Sequence, residues 1–465
     1  MAEIWEVADM NGMTLTIKGL FGHFNYEIPL YGLESVDGIP MSDGVTILTG
    51  ANGYGKSTIL RALEALSNGD VDFFVNLKFR SLSLRIENSQ DGLTLKKTKD
   101  RFVMNGQELS FDEIQRFHVE LSELVRNATN ELMTSNKFQA VVQNGNSDAL
   151  DKSLKEKAFD IYVQNYAESL TENKVLSFRM SMIRLSGLSG RTSVIPEQRL
   201  LDIANVAAIR NGRWRDLQEV TDAVKTLPER LKVHFSKVAD DSSKKDVELN
   251  ASFPSRVLNQ SGDDRLTEEE FNRLYQDMND KLRVLRENGL SDVAQQDIPV
   301  FQADKAGILR IFFDDFDAKY QVYEPLIAKL TLFRKILDRR FRTFKRVEIS
   351  REYGLRVRDI HKDENGAEIP GDVIPLEKLS SGEQETLVLY YQLIFETAPG
   401  TMLLIDEPEI SLHIAWQRHF IDELKEIVRL NDLRAVVATH SVSIIGRHRD
   451  IQVDLGALYQ DELDR

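Results

Sequence analysis

Eight consecutive residues form a pattern suited to binding a triphosphate. They are Gly50, Ala51, Asn52, Gly53, Tyr54, Gly55, Lys56 and Ser57, and Thr58 follows them. In this pattern, Gly-x-x-x-x-Gly-Lys-Ser, the glycines let successive backbone N–H groups turn towards one anion. We expect Lys56 to reach the β- and γ-phosphates and the Ser57 hydroxyl to bind Mg²⁺. An apolar run before the pattern and a helix-like run after it give the strand–loop–helix context that such a loop needs.

Two carboxylates follow an apolar run near the C-terminus. The run Met402–Ile405 predicts a buried strand, and Asp406 and Glu407 come directly after it. Beside a phosphate loop, Asp406 is expected to hold the Mg²⁺ shell, and Glu407 to orient and deprotonate the attacking water. The alternative is a strand that simply ends at solvent. We favour the metal site, because a chain with a phosphate loop needs a carboxylate to hold the metal ion.

Two further segments carry polar groups at the ends of predicted elements. Ser380, Ser381, Gly382 and Glu383 precede a helical run, and a helix start of this composition can bind an anion or merely cap the helix. His440 follows the apolar run Ala435–Ala438, where its imidazole could hydrogen-bond a γ-phosphate or water. For an isolated histidine, a structural role is the simpler interpretation: a side chain at a strand end that makes its hydrogen bonds within the fold.

The elements that must position these residues alternate in type along the chain. Strand patterns fill the first hundred residues, helical patterns dominate from about Phe111 to Phe344, and strand and helix patterns return afterwards. One extended segment interrupts the helical region near Thr192–Pro196, and the polar stretch Asp240–Gly262 is predicted as a loop. The fold class is therefore α/β with a large helical insertion.

Composition sets limits on what the chain can do. Its 465 residues include 42% hydrophobic and 29% charged residues, which indicates a globular protein with two or three domain-sized units. A net charge of −15 argues against binding of nucleic acid through the overall charge of the protein. The absence of cysteine excludes disulfides, thiolate zinc sites and cysteine nucleophiles, and fits a cytoplasmic location. No run is long and apolar enough to span a membrane, so we expect no membrane partner.

The order of these blocks resembles the head of an ABC-type ATPase. Leu379–Gln384 (LSSGEQ) resembles the signature sequence, Pro408–His413 the D-loop, and Thr439–Ser441 the switch histidine. The resemblance implies ATP and Mg²⁺ as ligands and a mixed-sheet head with flanking helices. It also implies three segments: residues 1–110 and 346–465 as the two parts of the head, and 111–345 as a helical insertion that returns to the head near 192–200.

In ABC-type heads, the signature contacts the γ-phosphate held by the partner's phosphate loop. This chain has one phosphate loop and one signature, so the resemblance implies a homodimer or higher oligomer with composite ATP sites. Gln198 is the candidate for the Q-loop residue that senses Mg²⁺, although a simple turn explains it equally well. Phe21 or Phe24 is a candidate for stacking on adenine, with core packing the more ordinary role.

Among ABC-type ATPases, the long insertion resembles the SMC and overcoming-lysogenization-defect (OLD) groups. Several blocks resemble stand-alone ATPases of bacterial anti-phage systems, first the PtuA ATPases of Septu and retron systems and second the AriA ATPases of PARIS. These blocks are Leu20–Gly22 with Tyr26, Asn52–Lys56, Ser252–Arg256, Asp406–His413 and Ile445–Leu455. The implied role is ATP-dependent gating of a separate effector, an HNH-type or Toprim-like nuclease, with DNA or a phage protein as a possible trigger. Only 25 residues follow His440, so we expect any nuclease to be another chain.

Two other functions remain open at this stage. A DNA-repair or chromosome-maintenance ATPase would act on DNA directly, but it predicts a sustained heptad run, which the sequence lacks. A non-hydrolysing scaffold would not need both Lys56 and Glu407. A basic run between Lys329 and Arg346 fits either a contact with nucleic acid or an acidic partner, or, as we favour, a solvated arm that pairs with acidic helices.

Overall fold

The computed structural model describes most of the chain. It describes residues 12–31, 33–36, 39–87, 92–119, 173–188, 192–195, 201–210, 213–259, 266–341, 344–363 and 367–463. No helix in these ranges is long and apolar enough to cross a membrane. The chain divides into two compact units: a first unit, Met1–Thr221 with Thr397–Arg465, and a second unit, Asp222–Glu396.

A six-stranded antiparallel sheet occupies the N-terminal part of the first unit. Its strands, in the order β2-β1-β6-β7-β8-β9, are β1 (Met13–Leu20), β2 (Phe24–Leu30), β6 (Ser81–Ile86), β7 (Gly92–Lys97), β8 (Arg101–Met104) and β9 (Gln107–Ser110). Alternation of apolar and polar residues buries one face of the sheet, as in β1, where Leu15 and Ile17 are fully covered.

A five-stranded parallel sheet forms the centre of the first unit. Its strands, in the order β10-β16-β17-β5-β18, are β5 (Val45–Thr49), β10 (Thr192–Ile195), β16 (Met402–Asp406), β17 (Arg434–Ala438) and β18 (Gln452–Asp454). β5 and β17 are buried along their whole length because both faces of the sheet are covered. The extended segment predicted near 192–196 is confirmed, and its strand pairs in parallel with β16.

The described residues of the first unit also form helices and two short sheets. The helices are α1 (Lys56–Asn68), α2 (Val71–Asn76), α3 (Lys174–Ser186), α8 (Ile414–Asn431), α9 (Val442–Ile445) and α10 (Leu455–Leu463), with helical residues at 111–119 and a 3₁₀ turn at Pro408–Ser411. The short sheets are β3 (Leu33–Val36) with β4 (Ile39–Asp43), and β11 (Leu201–Arg210) with β12 (Arg213–Asp222). One core cluster joins α1 to the apolar faces of the two large sheets.

The second unit contains three long helices, a small sheet and the helix that follows the signature. Its elements are α4 (Ala223–Leu258), α5 (Glu268–Glu287), α6 (Ala306–Phe341), β13 (Lys345–Ser350), β14 (Gly354–Lys362), β15 (Glu368–Ile374), α7 (Ser381–Tyr391) and a π-helical turn at Gln392–Glu396. The predicted fold class is confirmed: mixed sheets with flanking helices and a large helical region.

The predicted loop at 240–262 is wrong for its larger part, because α4 continues to Leu258 and includes Pro254. Polar side chains on this half of α4 contact α6 instead of marking a turn. Asp246 pairs with Lys319 at 2.6 Å, and Ser242 accepts a hydrogen bond from the Tyr323 hydroxyl at 2.9 Å. Contacts between helices therefore outweigh a composition that favours a loop.

The helical pattern predicted between 111 and 344 also missed β11 and β12. The available signal was Asn211-Gly212, a frequent connection in two-residue hairpins, between two runs of ten residues. The predicted boundaries at 110 and 345 differ from those of the compact units, since 346–396 belongs to the second unit. Compactness does not define functional segments, so the division into head and insertion stays a prediction.

Candidate nucleotide site

The phosphate-loop pattern lies between β5 and α1, as the sequence predicts. Gly50, Gly53 and Gly55 have φ values of 142°, 91° and 91°, which side chains with a Cβ rarely adopt. A Cβ on Gly55 would also meet the Leu20 side chain at 3.0 Å. The backbone path of the loop therefore depends on glycine at these positions.

Lys56 is the first residue of α1 and is buried. Its Nζ donates a hydrogen bond to the Gly50 carbonyl at 2.9 Å, so the side chain folds back across the loop. Ala51, Asn52 and Gly53 are exposed, whereas Tyr54, Ser57 and Thr58 are half-buried. The loop thus presents backbone to solvent with an ammonium group beneath it, a suitable cradle for phosphates.

Strand register places the acidic strand end beside the phosphate loop. Asp406 in β16 is the Cα partner of Ala438 in β17, and Ala438 is the partner of Leu48 in β5. These three positions form one row across the sheet, at the carboxyl ends of parallel strands. The phosphate loop begins two residues after Leu48 and His440 stands two after Ala438, so the motifs share one edge of the sheet.

Glu407 leaves the end of β16 in a left-handed conformation, with φ 44°. Its N–H donates to the Ala438 carbonyl at 2.9 Å, which holds the strained residue against β17. Its Oε1 lies 3.6 Å from Nδ1 of His440, whose ring is more than half exposed. The predicted base and the predicted switch histidine are therefore neighbours in the folded chain.

Asp406 and Ser57 fit the requirements of a Mg²⁺ site beside bound phosphates. Oδ1 of Asp406 is buried and makes no hydrogen bond within the described part of the chain, which is costly for a carboxylate oxygen without a cation. Ser57 lies in the first turn of α1, directly after the phosphate-loop lysine. Oxygen donors of these two kinds are the ligands that Mg²⁺ prefers.

Sequence reasoning missed Glu409, whose side chain makes three hydrogen bonds at this edge. Its Oε1 accepts hydrogen bonds from the Thr439 hydroxyl at 2.7 Å, the His440 N–H at 3.0 Å and the Ser441 N–H at 3.2 Å. The same oxygen lies 3.2 Å from Nδ1 of His440. The signal in the sequence was a third acidic residue shortly after Asp406 and Glu407, at the second position of the D-loop-like segment.

The signature residues lie in the second unit, at the start of α7. Ser380 precedes the helix, and its N–H and hydroxyl both donate to Oε2 of Glu383 at 2.9 Å. Lys345 of β13 donates to both oxygens of Glu383, at 2.7 and 2.8 Å. A Cβ at Gly382 would meet nothing within 4 Å, so the helix tip is open at that residue.

Burial of the Glu383 carboxyl would raise its pKa, but the hydrogen bonds from Lys345 and Ser380 outweigh it and lower the pKa. The Glu383 carboxylate therefore stabilises the first turn of α7, while the backbone around Ser381 and Gly382 stays accessible. The signature prediction thus acquires a defined local structure, although its role in a partner's site stays a prediction.

Three sequence expectations have less definite outcomes. Gln198 lies outside the described residues; the strand before it ends at Ile195, the partner of Ile405. Phe24 stacks on Tyr26 with ring centroids 5.6 Å apart, and both Phe21 and Phe24 pack against the core. Core packing thus accounts for both rings, and their contact with adenine stays untested.

The basic run makes several contacts within the second unit. Arg340 donates to the Tyr390 hydroxyl at 2.8 Å, and Arg334 donates to the Glu287 carbonyl at 2.9 Å. Lys345 pairs with Glu383, and Arg346 pairs with Glu368. These contacts give four of the basic residues structural partners, while the predicted pairing of the run with acidic helices and its contact with nucleic acid both stay predictions.

Comparison with solved structures finds SMC heads at low similarity. An SMC head bound to the C-terminal winged-helix domain of ScpA is 14% identical, with 93% of this chain and 90% of that chain covered and a TM-score of 0.34. An SMC head with an extended coiled coil, from Pyrococcus furiosus, is 14% identical, with 93% of this chain and 90% of that chain covered and a TM-score of 0.32. The SMC head of Thermotoga maritima is 12% identical, with 94% of this chain and 91% of that chain covered and a TM-score of 0.32.

No curated protein matches the chain significantly. A protein family described as an AAA ATPase domain, AAA_15, matches residues 32–445. This range includes the phosphate loop, the signature segment, the acidic strand end and His440. Because the match spans most of the 465 residues, the chain belongs to the AAA_15 family of AAA ATPase domains.

Proposed function

We propose that the chain binds ATP with Mg²⁺ and hydrolyses it at the edge of the parallel sheet. The observation that carries the proposal is the row formed by Leu48, Ala438 and Asp406. It supports a site in which the phosphate loop, two carboxylates and a histidine serve one triphosphate. Family membership supports the same activity.

Each group in the site has a defined task in this proposal. Lys56 and the loop N–H groups bind the phosphates and offset their charge. Glu407 accepts a proton from the attacking water, and His440 hydrogen-bonds the γ-phosphate or that water. Ser57 and Asp406 would hold Mg²⁺, which neutralises charge on the phosphate oxygens when bound.

We propose further that the complete site needs two copies of the chain, packed head to tail. The open tip of α7 around Gly382 supports this, because a helix start with an accessible backbone suits a γ-phosphate. Each copy would then contribute its Ser380–Glu383 segment to the partner's phosphate loop. The dimer would hold two composite sites around a twofold axis.

The biological role we propose is control of a separate nuclease in anti-phage defence, in the manner of the PtuA or AriA ATPases. The motif blocks quoted above support it. ATP-dependent dimerisation would gate an HNH-type or Toprim-like effector, with DNA or a phage protein as trigger. Turnover stimulated by DNA alone, with no partner protein, would instead favour an ATPase that acts directly on DNA.

Substitution of the proposed base tests the activity. Glu407→Gln is expected to bind ATP as tightly as the parent, to lower turnover by at least 100-fold and to accumulate as an ATP-bound dimer. Nucleotide release assays and size-exclusion chromatography with light scattering measure these effects. Parent-like hydrolysis by this variant would show that Glu407 is not the base.

The companion variant Lys56→Ala is expected to lose ATP binding, because the phosphates lose their ammonium partner. Lys174→Ala is the matched control, since its ammonium pairs with Glu113 on the surface of the first unit at 2.9 Å. Tight ATP binding by Lys56→Ala would count against the phosphate loop.

A further inference from the structure

Glu409 connects two loops at the catalytic edge. It lies in the 3₁₀ turn that follows Glu407, and its side chain, 8% exposed, contacts the turn Thr439–Ser441 after β17. One carboxylate oxygen accepts three hydrogen bonds from that turn and lies beside the His440 ring, while Oε2 is buried without a partner within the described residues. The contacts of Glu409 are thus concentrated on the residue proposed as the switch histidine and its neighbours.

A second set of contacts fixes the same turn from α8. The Ser441 hydroxyl donates to Oε1 of Gln417 at 2.7 Å, and Nε2 of Gln417 donates to the Leu412 carbonyl at 3.0 Å. The turn and the loop after β16 are therefore held as one polar network. A shift of this loop would move the proposed base and the histidine together.

We propose that Glu409 is the positioning residue for His440. Its carboxylate holds the backbone of the turn and attracts Nδ1–H of the neutral ring from 3.2 Å, which leaves Nε2 for the substrate. A neutral imidazole carries one proton, and an acceptor at 3.2 Å decides which nitrogen bears it. The inference deepens the proposed function and rests on it, since it assigns how the histidine of that site is prepared.

The geometry separates this role from simple capping. A cap requires only the contacts with the N–H groups of His440 and Ser441, which an amide oxygen could also accept. The contact with Nδ1 requires an acceptor, and Glu407 Oε1 lies farther from that nitrogen, at 3.6 Å. An amide oxygen could accept from all these donors, but it carries no charge and attracts Nδ1–H less strongly than a carboxylate does. Exchange of the carboxylate for an amide should therefore preserve the turn and weaken the preference of the ring for one tautomer.

The test compares Glu409→Gln with the parent by kinetics and by ¹⁵N NMR of histidine-labelled protein. We expect kcat to fall by about 10- to 100-fold, with the dissociation constant for ATP changed by less than about threefold. We expect the neutral His440 ring, assigned by the loss of its signals in His440→Ala, to change from the Nδ1–H tautomer to a mixture. Asp70→Asn is the matched control, because Asp70 also accepts two backbone N–H groups, of Asp72 and Phe73, but contacts no histidine in the described residues.

Each outcome decides the proposal. A fall in kcat with unchanged ring signals would reduce Glu409 to a structural cap and overturn it, as would an unchanged kcat. If Glu409→Gln does not fold, the ¹⁵N NMR spectrum of the parent alone tests the proposal. A neutral His440 that is mainly the Nε2–H tautomer would exclude the proposed contact. If the parent lacks ATPase activity, the proposed function fails, while the tautomer of His440 still decides whether Glu409 sets its ring.

Discussion

At the scale of single residues, the phosphate loop is held by side chains outside its own pattern. Tyr26 of β2 is buried, and its hydroxyl donates to the Tyr54 carbonyl within the loop at 3.0 Å. Burial, with the neighbouring Tyr54 and Tyr459, raises the pKa of Tyr26, so the hydroxyl stays protonated and remains a donor. The loop is thereby fixed from β2, in addition to the bond from Lys56 to Gly50.

Tyr26→Phe is expected to destabilise the protein by about 1–2 kcal/mol, because the Tyr54 carbonyl loses its donor. The loop should also become less ordered, so the dissociation constant for ATP should rise by up to about tenfold. Urea unfolding and ATP titration measure the two effects. Tyr31→Phe is the control, since the Tyr31 hydroxyl makes no hydrogen bond within the described chain; equal behaviour of the two variants would contradict the prediction.

At the scale of elements, the start of the signature helix depends on a strand of the same unit. Glu383 holds the first turn of α7 through Ser380, and Lys345 of β13 holds Glu383 in turn. The pKa of Glu383 is lowered from its ordinary 4.5, with the bonds from Lys345 and Ser380 outweighing the effect of burial. Its contribution to stability is therefore present above 4.5 and is lost as pH falls through the lowered value.

Lys345→Ala should raise the pKa of Glu383 and loosen the start of α7. We expect faster amide hydrogen exchange in peptides that cover 380–387, largest at neutral pH and smaller as the medium becomes acidic enough to protonate Glu383. Lys362→Ala is the control, because Lys362 is exposed on β14 and makes no ion pair within the described residues. Exchange that is unchanged by Lys345→Ala at neutral pH would refute the dependence of α7 on β13.

At the scale of the whole molecule, the proposed composite site predicts that two inactive variants can complement each other in a mixed dimer. A Lys56→Ala chain keeps its signature, and a Gly382→Asp chain keeps its phosphate loop. The aspartate is tolerated in the first turn of a helix, where there is space for it, but it opposes an approaching phosphate. One intact site forms only in the mixed dimer, from the phosphate loop of one chain and the signature of the other.

Mixing the two inactive variants is therefore expected to restore about a quarter of the parent activity, if dimers form at random and the two sites act independently. ATP turnover measures the recovery, and chains with different affinity tags show that mixed dimers have formed. Gln107→Glu controls for added charge, because Gln107 is exposed on β9. Mixed dimers without recovered turnover, or full activity of Gly382→Asp alone, would contradict the composite site.

The sequence by itself determined the local parts of this protein. The phosphate loop could be predicted because its glycines, Lys56 and the flanking apolar runs act within a few residues of one another. The apolar runs at β5, β16 and β17 likewise predicted buried strands, since a strand covered on both faces needs a continuous hydrophobic sequence. The order of the motif blocks was enough to indicate an ATPase, which family membership supports.

Only the tertiary structure decided how these parts meet. Asp406 and Leu48 are far apart in the chain, and strand register alone places them in one row. The contacts of Glu409 with Thr439–Ser441 link two different loops, so no local pattern could reveal them. The segment after Asp240 is helical because α6 packs beside it and satisfies its polar side chains, a stabilisation that composition does not record.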